Sequence, residues 1–314
     1  MQLKQPPGFD PNLSTDGQVS RLGQPLCFNC APSEDLAPWI ARLYVAKVQS
    51  KGAPTVACGI LSDTANLRIQ IEGRWTATNA TGPFVPPSPV MFLGPNSRRI
   101  AVEATTHFVA TGFSFRPGAC HALQGPVLRD MIDTGVPGEA LGMDVPSVLE
   151  RFTPGAEPLE WTAVLEGIIR RRVERFDGAL PDPVTSQFEL QCYEDPTITV
   201  AEAARRCGAE RRRFERIIQR DFGMSPKQVL RRARALDMAS HLRGVCDENE
   251  AEEFALRYYD ESHLIHEFVE FFGMSPRQFA EAPQPMMTAA LESRQARRLA
   301  LLERIQPEGA YPWR

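Results

Sequence analysis

No stretch of the 314-residue sequence approaches the ~20 consecutive apolar residues that a bilayer span requires. The N-terminus also lacks the basic start and apolar core of a secretory signal. The expectation is a cytoplasmic protein with no membrane partner. Histidine is scarce, at five residues, and no H-x-H, H-E-x-x-H, G-x-S-x-G, phosphate-loop or dinucleotide fingerprint occurs. A metal-dependent site would draw several His and carboxylate ligands from neighbouring strands. No catalytic residue, metal or cofactor is therefore assigned, and an enzyme built on the β-rich segment stays as an alternative. The seven cysteines are an odd number, scattered along the chain, which does not suit a secreted disulfide framework. Cys27 and Cys30 form the single C-x-x-C pair, without the second ligand pair that zinc needs.

What is present is globular in balance, with 43% apolar and 24% charged residues, over a length that two domains would usually share. Residues 1–35 are rich in Pro, Gly, Ser and Asn and read as a loosely held arm. From Pro38 the pattern is strand-like. In Asn66–Glu72, Leu67, Ile69 and Ile71 alternate with Arg68, Gln70 and Glu72, the period of a half-buried strand with its polar side to solvent. Arg99–Ala104 and His107–Phe115 read the same way, and Pro83, Pro86, Pro87 and Pro89 interrupt the run between, since proline cannot donate to a ladder.

After Arg116-Pro117-Gly118 the period changes. Trp161, Val164, Leu165, Ile168, Ile169, Val173 and Phe176 recur at helical spacing and give one apolar face, which serves either its own sheet or a dimer contact. Pro181–Pro183 reads as the start of a linker.

The strongest signal is a repeat. Arg220–Gln228 reads RDFGMSPKQ and Glu270–Gln278 reads EFFGMSPRQ, sharing F-G-M-S-P fifty residues apart. Phe222 and Phe272 close apolar helix faces, and Gly223 and Gly273 stand where a helix end favours a left-handed residue. Ser225-Pro226 and Ser275-Pro276 then supply an N-cap and a first-turn proline, with Gln228 and Gln278 completing capping boxes. Upstream, Thr199 and Glu202 form another capping signature opening a helix through Arg206, and Gly208 allows a turn. A helix over Glu210–Phe222 puts Phe214, Ile217, Ile218 and Phe222 inside and Arg211, Arg212, Arg213, Glu215, Arg216 and Arg220 outside. Two short helices around a tight turn, the second bearing exposed arginines, form the arrangement that docks in a DNA major groove. An arginine fork can bind guanine O6 and N7 or clamp a phosphate. The net charge of −4 conceals a local excess: Arg205–Arg243 carries twelve Lys/Arg against four Asp/Glu, or +8, and Gly244–Met274 one against nine, or −8.

On these residues Ala201–Ala280 resembles the AraC/XylS family of transcription regulators. The resemblance rests on the G-x-SP phrase after each recognition helix, a linker helix over Pro226–Leu242, and YYDESHLIHEF at Tyr258–Phe268. It implies an α+β protein: a β-rich, cupin-like N-terminal domain followed by an all-α domain of two helix-turn-helix units joined by a linker helix. It implies double-stranded DNA as partner. It puts Arg212, Glu215 and Arg216 toward the bases in the first unit, and Glu261, Ser262, Ile265 and His266 in the second. The family commonly has an arginine where His266 stands, and a neutral imidazole offers one donor. No glycine marks the turn where Ala255-Leu256-Arg257 meets Tyr258-Tyr259, and Asp247, Glu248, Glu250, Glu252 and Glu253 should repel phosphate. The first unit is thus expected to anchor and the second to contribute weakly. Tyr259, Leu264 and Phe268 are expected to fill the helical core.

GFSFRPGACHALQG at Gly112–Gly125, within Pro38–Met143, is similar to the cupin-like sensing or dimerisation domain of some of these regulators. Such a domain implies a small-molecule effector, and Arg116 and His121, just past the last expected strand, either line its pocket or serve the loop and surface. The expected division is an arm over 1–35, a sensing or dimerisation domain over 36–180, a linker over 181–197, the double helix-turn-helix over 198–282, and a helical tail over 283–314. Arg294, Arg297, Arg298 and Arg304 of the tail either add phosphate contacts or are solvated. A homodimer and contact with RNA polymerase are further expectations. A protein-interaction adaptor that has lost DNA binding is the competing class.

Overall fold

The computed structural model describes residues 6–15, 17–52, 55–79, 82–153, 155–246, 261–303 and 311–314. Ala255–Tyr259, the acidic run from Asp247 to Glu253, and Arg304 lie outside the described residues.

Eleven strands are described: β1 Leu13–Thr15, β2 Phe28–Cys30, β3 Ile40–Ser50, β4 Thr55–Ile60, β5 Asn66–Glu72, β6 Trp75–Asn79, β7 Gly82–Phe84, β8 Val90–Leu93, β9 Ile100–Thr105, β10 His107–Phe115 and β11 Gly135–Pro137. They form two antiparallel sheets, one ordered β1-β3-β10-β5-β8-β11 with β2 also on β3, the other β4-β9-β6-β7. Ten α-helices are described: α1 Ala119–Ala122, α2 Val145–Leu149, α3 Pro158–Arg175, α4 Pro183–Glu194, α5 Val200–Arg206, α6 Arg211–Phe222, α7 Pro226–Leu242, α8 Glu261–Phe272, α9 Pro276–Glu281 and α10 Pro285–Leu301. The β-rich region followed by a helical region is the expected α+β arrangement.

Each face of the larger sheet is covered, because side chains alternate along a strand. Leu43 and Val45 of β3, Leu67 and Ile69 of β5, and Val109 and Phe113 of β10 pack with Trp161, Leu165 and Ile169 of α3. The apolar face of α3 therefore serves its own sheet. The opposite face, through Val48, Phe108 and Ala110, meets Val56, Trp75, Ala77, Val102 and Ala104 of the second sheet. Here the sequence expectation fails in one respect. Arg68 and Gln70 do not face solvent; both are buried, on the side of β5 away from α3. The alternation distinguishes two faces, and a second sheet lies over the polar one. Cys27 and Cys30, three residues apart, are divided in the same way: Cys27 lines the inter-sheet cavity and Cys30 packs with the α3 cluster, so the C-x-x-C spacing brings no ligand pair together.

Three parts of the expected division are corrected. The described residues of the 1–35 segment are tied down: β1 and β2 pair with β3, Leu26 is fully buried, and Arg243 at the end of α7 donates to the carbonyl of Gly8 at 2.7 Å. The 181–197 segment contains α4, capped by Asp182, whose Phe188 meets Phe214 and Phe222 edge-on with centroids 5.1 and 5.5 Å away. It is part of the first helix-turn-helix core. In the 283–314 segment, α10 is inserted between the β-rich region and α7, and Arg294, Arg297 and Arg298 are buried against acids, with neither phosphate nor solvent before them. A charged helix reads as a surface from sequence because its partners Asp63, Glu189 and Asp237 come from three distant segments.

Candidate nucleic-acid interface and inter-sheet cavity

The first unit consists of α5 and α6 around Gly208, which has φ +60°. Thr199 caps α5 by accepting from the Glu202 amide at 3.1 Å; the Glu202 carboxylate is spent on Arg205 and Arg206 instead of returning to the cap. Glu210 caps α6, accepting from the Arg212 and Arg213 amides at 3.0 and 3.1 Å. These bonds hold its carboxyl below the ordinary range. The cap aims the helix start outward, and Arg211, Arg212, Arg213 and Arg216 are all exposed while Phe214, Ile217 and Ile218 are buried. Arg212 and Arg216 stand one turn apart on one face.

The remaining expected residues of this helix are partly engaged within the protein. Arg211 pairs with Glu215 at 2.9 Å, an i,i+4 bond on the helix surface. Arg220 is turned toward the body, bonded to the buried Asp221 at 2.6 Å and near Asp182 at 3.8 Å. That corrects its expected outward role: Asp221 also accepts from the Thr185 hydroxyl and needs a cation beside it.

The two repeated phrases fold alike. Ser225 and Ser275 each form a complete capping box with Gln228 and Gln278. In the second unit, Leu264, Phe268 and Phe272 fill a core with Phe279, the Phe268 and Phe272 rings stacked 4.3 Å apart. Ser262 and His266 are exposed and Ile265 is half-buried, all on α8; the side chain of Glu261 lies outside the described residues. The orientation of α8 is held by two arginines that sequence reasoning missed. Arg231 and Arg234 of α7 bond to the buried Glu267 at 2.9 and 2.7 Å. Their signal was the basic run in the linker helix opposite the acids of the second unit.

Among the described residues, no three His, Cys, Asp or Glu side chains are grouped as metal ligands would be, and no helix is long and apolar enough to cross a membrane.

The sensing residues expected from sequence do not line the cavity between the two sheets. Arg116 is bonded to the buried Glu189 at 2.8 Å and to the Ala37 carbonyl, which joins the β-rich region to α4. His121 is exposed on α1. The large cavity, of about 190 Å³, lies between the sheets; Tyr44, Arg68, Trp75 and Phe108 line its interior, and Met286, Ala290 and Arg294 of α10 form part of its wall. Arg68 lies 4.7 Å from the Trp75 ring centre and 5.1 Å from that of Phe108.

Residues 203–282 match the model of a helix-turn-helix domain family. No curated protein matches the chain. Among solved structures, an apo variant of ToxT from Vibrio cholerae strain SCE256 is 10% identical with a TM-score of 0.42, covering 76% of this chain and 96% of that one. Wild-type ToxT of the same strain, bound to an unsaturated fatty acid, is 11% identical with a TM-score of 0.41, covering 76% and 94%. The AraC-like transcriptional activator CuxR is 16% identical with a TM-score of 0.28, covering 63% and 78%.

Proposed function

We propose that the chain is a DNA-binding transcription regulator with an AraC-type helix-turn-helix domain in its C-terminal region, and that α6 is its principal reader of the major groove. The observation that carries this reading is the outward set Arg212, Arg213 and Arg216 on a helix whose opposite face is buried. Arginines so presented suit guanine edges and phosphates alike. The α8 helix offers Ser262, Ile265 and His266 instead, with less charge and fewer donors, and assists more weakly.

The inter-sheet cavity receives the effector, and α10 is the element that conveys its occupancy. That helix forms part of the cavity wall and also bonds to α7, the linker between the two DNA-binding units. A ligand that changed where α10 rests would act on α7 directly, through packed and hydrogen-bonded groups of the kind that carry coupling.

The test is fluorescence anisotropy with the chain's own upstream DNA across several salt concentrations. Arg212→Ala/Arg216→Ala should lose saturable binding, and the slope of log affinity against log salt should fall by about 0.9 for each phosphate contact removed. His266→Ala should lose less. A larger loss from His266→Ala would assign the anchor to α8, and no saturable binding even at low salt would favour a protein-interaction adaptor.

A further inference from the structure

One rung across the larger sheet departs from ordinary packing. In the ladder, Tyr44 of β3 stands opposite Gly112 of β10, and Gly112 stands opposite Arg68 of β5. With strands ~4.8 Å apart, Tyr44 and Arg68 are rooted about 10 Å from each other, with a residue lacking a side chain between them. That space is in use: a Cβ at Gly112 would come within 2.8 Å of the Tyr44 hydroxyl, so Tyr44 leans over Gly112 toward Arg68. Tyr44 and Arg68 both line the cavity.

Arg68 is 7% exposed, and its Nε is without a hydrogen-bond partner. The other charged groups of the cavity lining are engaged. Arg42 donates to Asn29 and Tyr311, Arg294 to Asp63 and Asp237, and Arg297 pairs with Glu189. Asp133 accepts from the Ser97 amide. Among the described residues Arg68 has no carboxylate partner; it is held between the rings of Trp75 and Phe108. Burial pulls its basicity down and raises the Tyr44 phenol and the Cys27 thiol above their ordinary values, so both neighbours stay neutral. A buried cation without an anion is costly unless something else supplies the charge.

We propose that this rung is the head-group site of a small organic acid: Arg68 pairs with the carboxylate, the Tyr44 hydroxyl donates to it, and the apolar body extends toward Met286 and Ala290 beneath α10. The size of the body follows from the volume. A cavity of about 150 Å³ holds a benzene molecule, so about 190 Å³ suits an aromatic acid or a short branched one. Trp75, Phe84, Ile100 and Val102 provide the apolar wall, and guanidinium recognition of a planar carboxylate supplies the specificity.

This assignment rests on the cavity being the effector site, and its test is separate from DNA binding. The full-length protein is titrated by calorimetry with benzoate, phenylacetate and 3-methylbutanoate, each beside the alcohol of the same skeleton. At least one acid should bind, and about tenfold or more tighter than its alcohol, because a charge-assisted bond is lost with the carboxylate. Arg68→Met should abolish the acid-over-alcohol preference while melting, unliganded, no lower than wild type, since it removes an unpaired buried charge. Tyr44→Phe should weaken the acid and leave the alcohol unchanged. Equal binding of acid and alcohol, acid binding that survives Arg68→Met, or no binding by any acid would each overturn the assignment. Anisotropy on the same samples separates the two readings, because loss of the acid site with DNA binding intact refutes the head-group site alone.

Discussion

Arg294 of α10 donates to Asp237 of α7 across 2.7 Å, and each side chain is 5% exposed. The same guanidinium bonds to Asp63 in the turn between β4 and β5 at 3.2 Å, so one cation joins both halves of the molecule.

Removing that cation should therefore cost more than removing either acid. Arg294→Met leaves Asp63 without this partner and Asp237 with Arg298 at 3.8 Å, whereas Asp237→Asn leaves Arg294 still paired to Asp63. Breaking a buried pair costs about 3–5 kcal/mol, and Arg294→Met should fall in that range and exceed Asp237→Asn. Urea unfolding midpoints measure the difference; equal losses would show that Asp63 contributes nothing.

The repeated phrase provides an internal comparison. Gly223 and Gly273 have φ of 74° and 70°, values that penalise any side chain. Around Gly273 a Cβ would meet nothing within 4 Å, while at Gly223 it would approach the Leu128 carbonyl oxygen to 2.8 Å. Gly273→Ala should cost about 1 kcal/mol from backbone strain alone, and Gly223→Ala distinctly more. Thermal melts of the two variants check this.

Glu267 should control part of the acid sensitivity. Burial raises its carboxyl, but bonds from Arg234 and Arg231 outweigh that and leave it below the ordinary value. A depressed folded-state pKa contributes stability that is present above the unfolded value, about 4.3, and is lost as pH falls through the folded value. Glu267→Gln should be less stable than wild type at pH 6 and should lose less on acidification below about pH 4.3. Denaturant midpoints over a pH series would show parallel curves if the pairing were without consequence.

Much of the helical region was legible because its signals are local. The bounds of α7 follow from Ser225-Pro226 and the apolar period, and the outward arginines of α6 follow from the inward Phe214, Ile217 and Ile218. The strands β5 and β10 were equally readable in extent. What sequence could not reveal was what lies over each face. Arg68 belongs to a polar row in the sequence, and burial of that row depends on β6 and β9, whose pairing is non-local. Gly112, alone in the middle of a strand pattern, was the available hint of a close approach. Arg116 and His121 follow the last expected strand, but the cavity lies between the sheets and is walled by a helix 170 residues further on.

That wall has a bearing on how the protein is made. The β-rich region completes its last described strand at Pro137, but the helix that closes its interior begins at Pro285. At roughly 5–20 residues per second of synthesis, the sheets would wait on the order of ten to thirty seconds for that helix. During that interval the ring-lined interior is open to water and to chaperones. A ribosome that stops within the DNA-binding segment therefore releases a chain unable to enclose a ligand, so ligand retention certifies that translation ran past the reading helices.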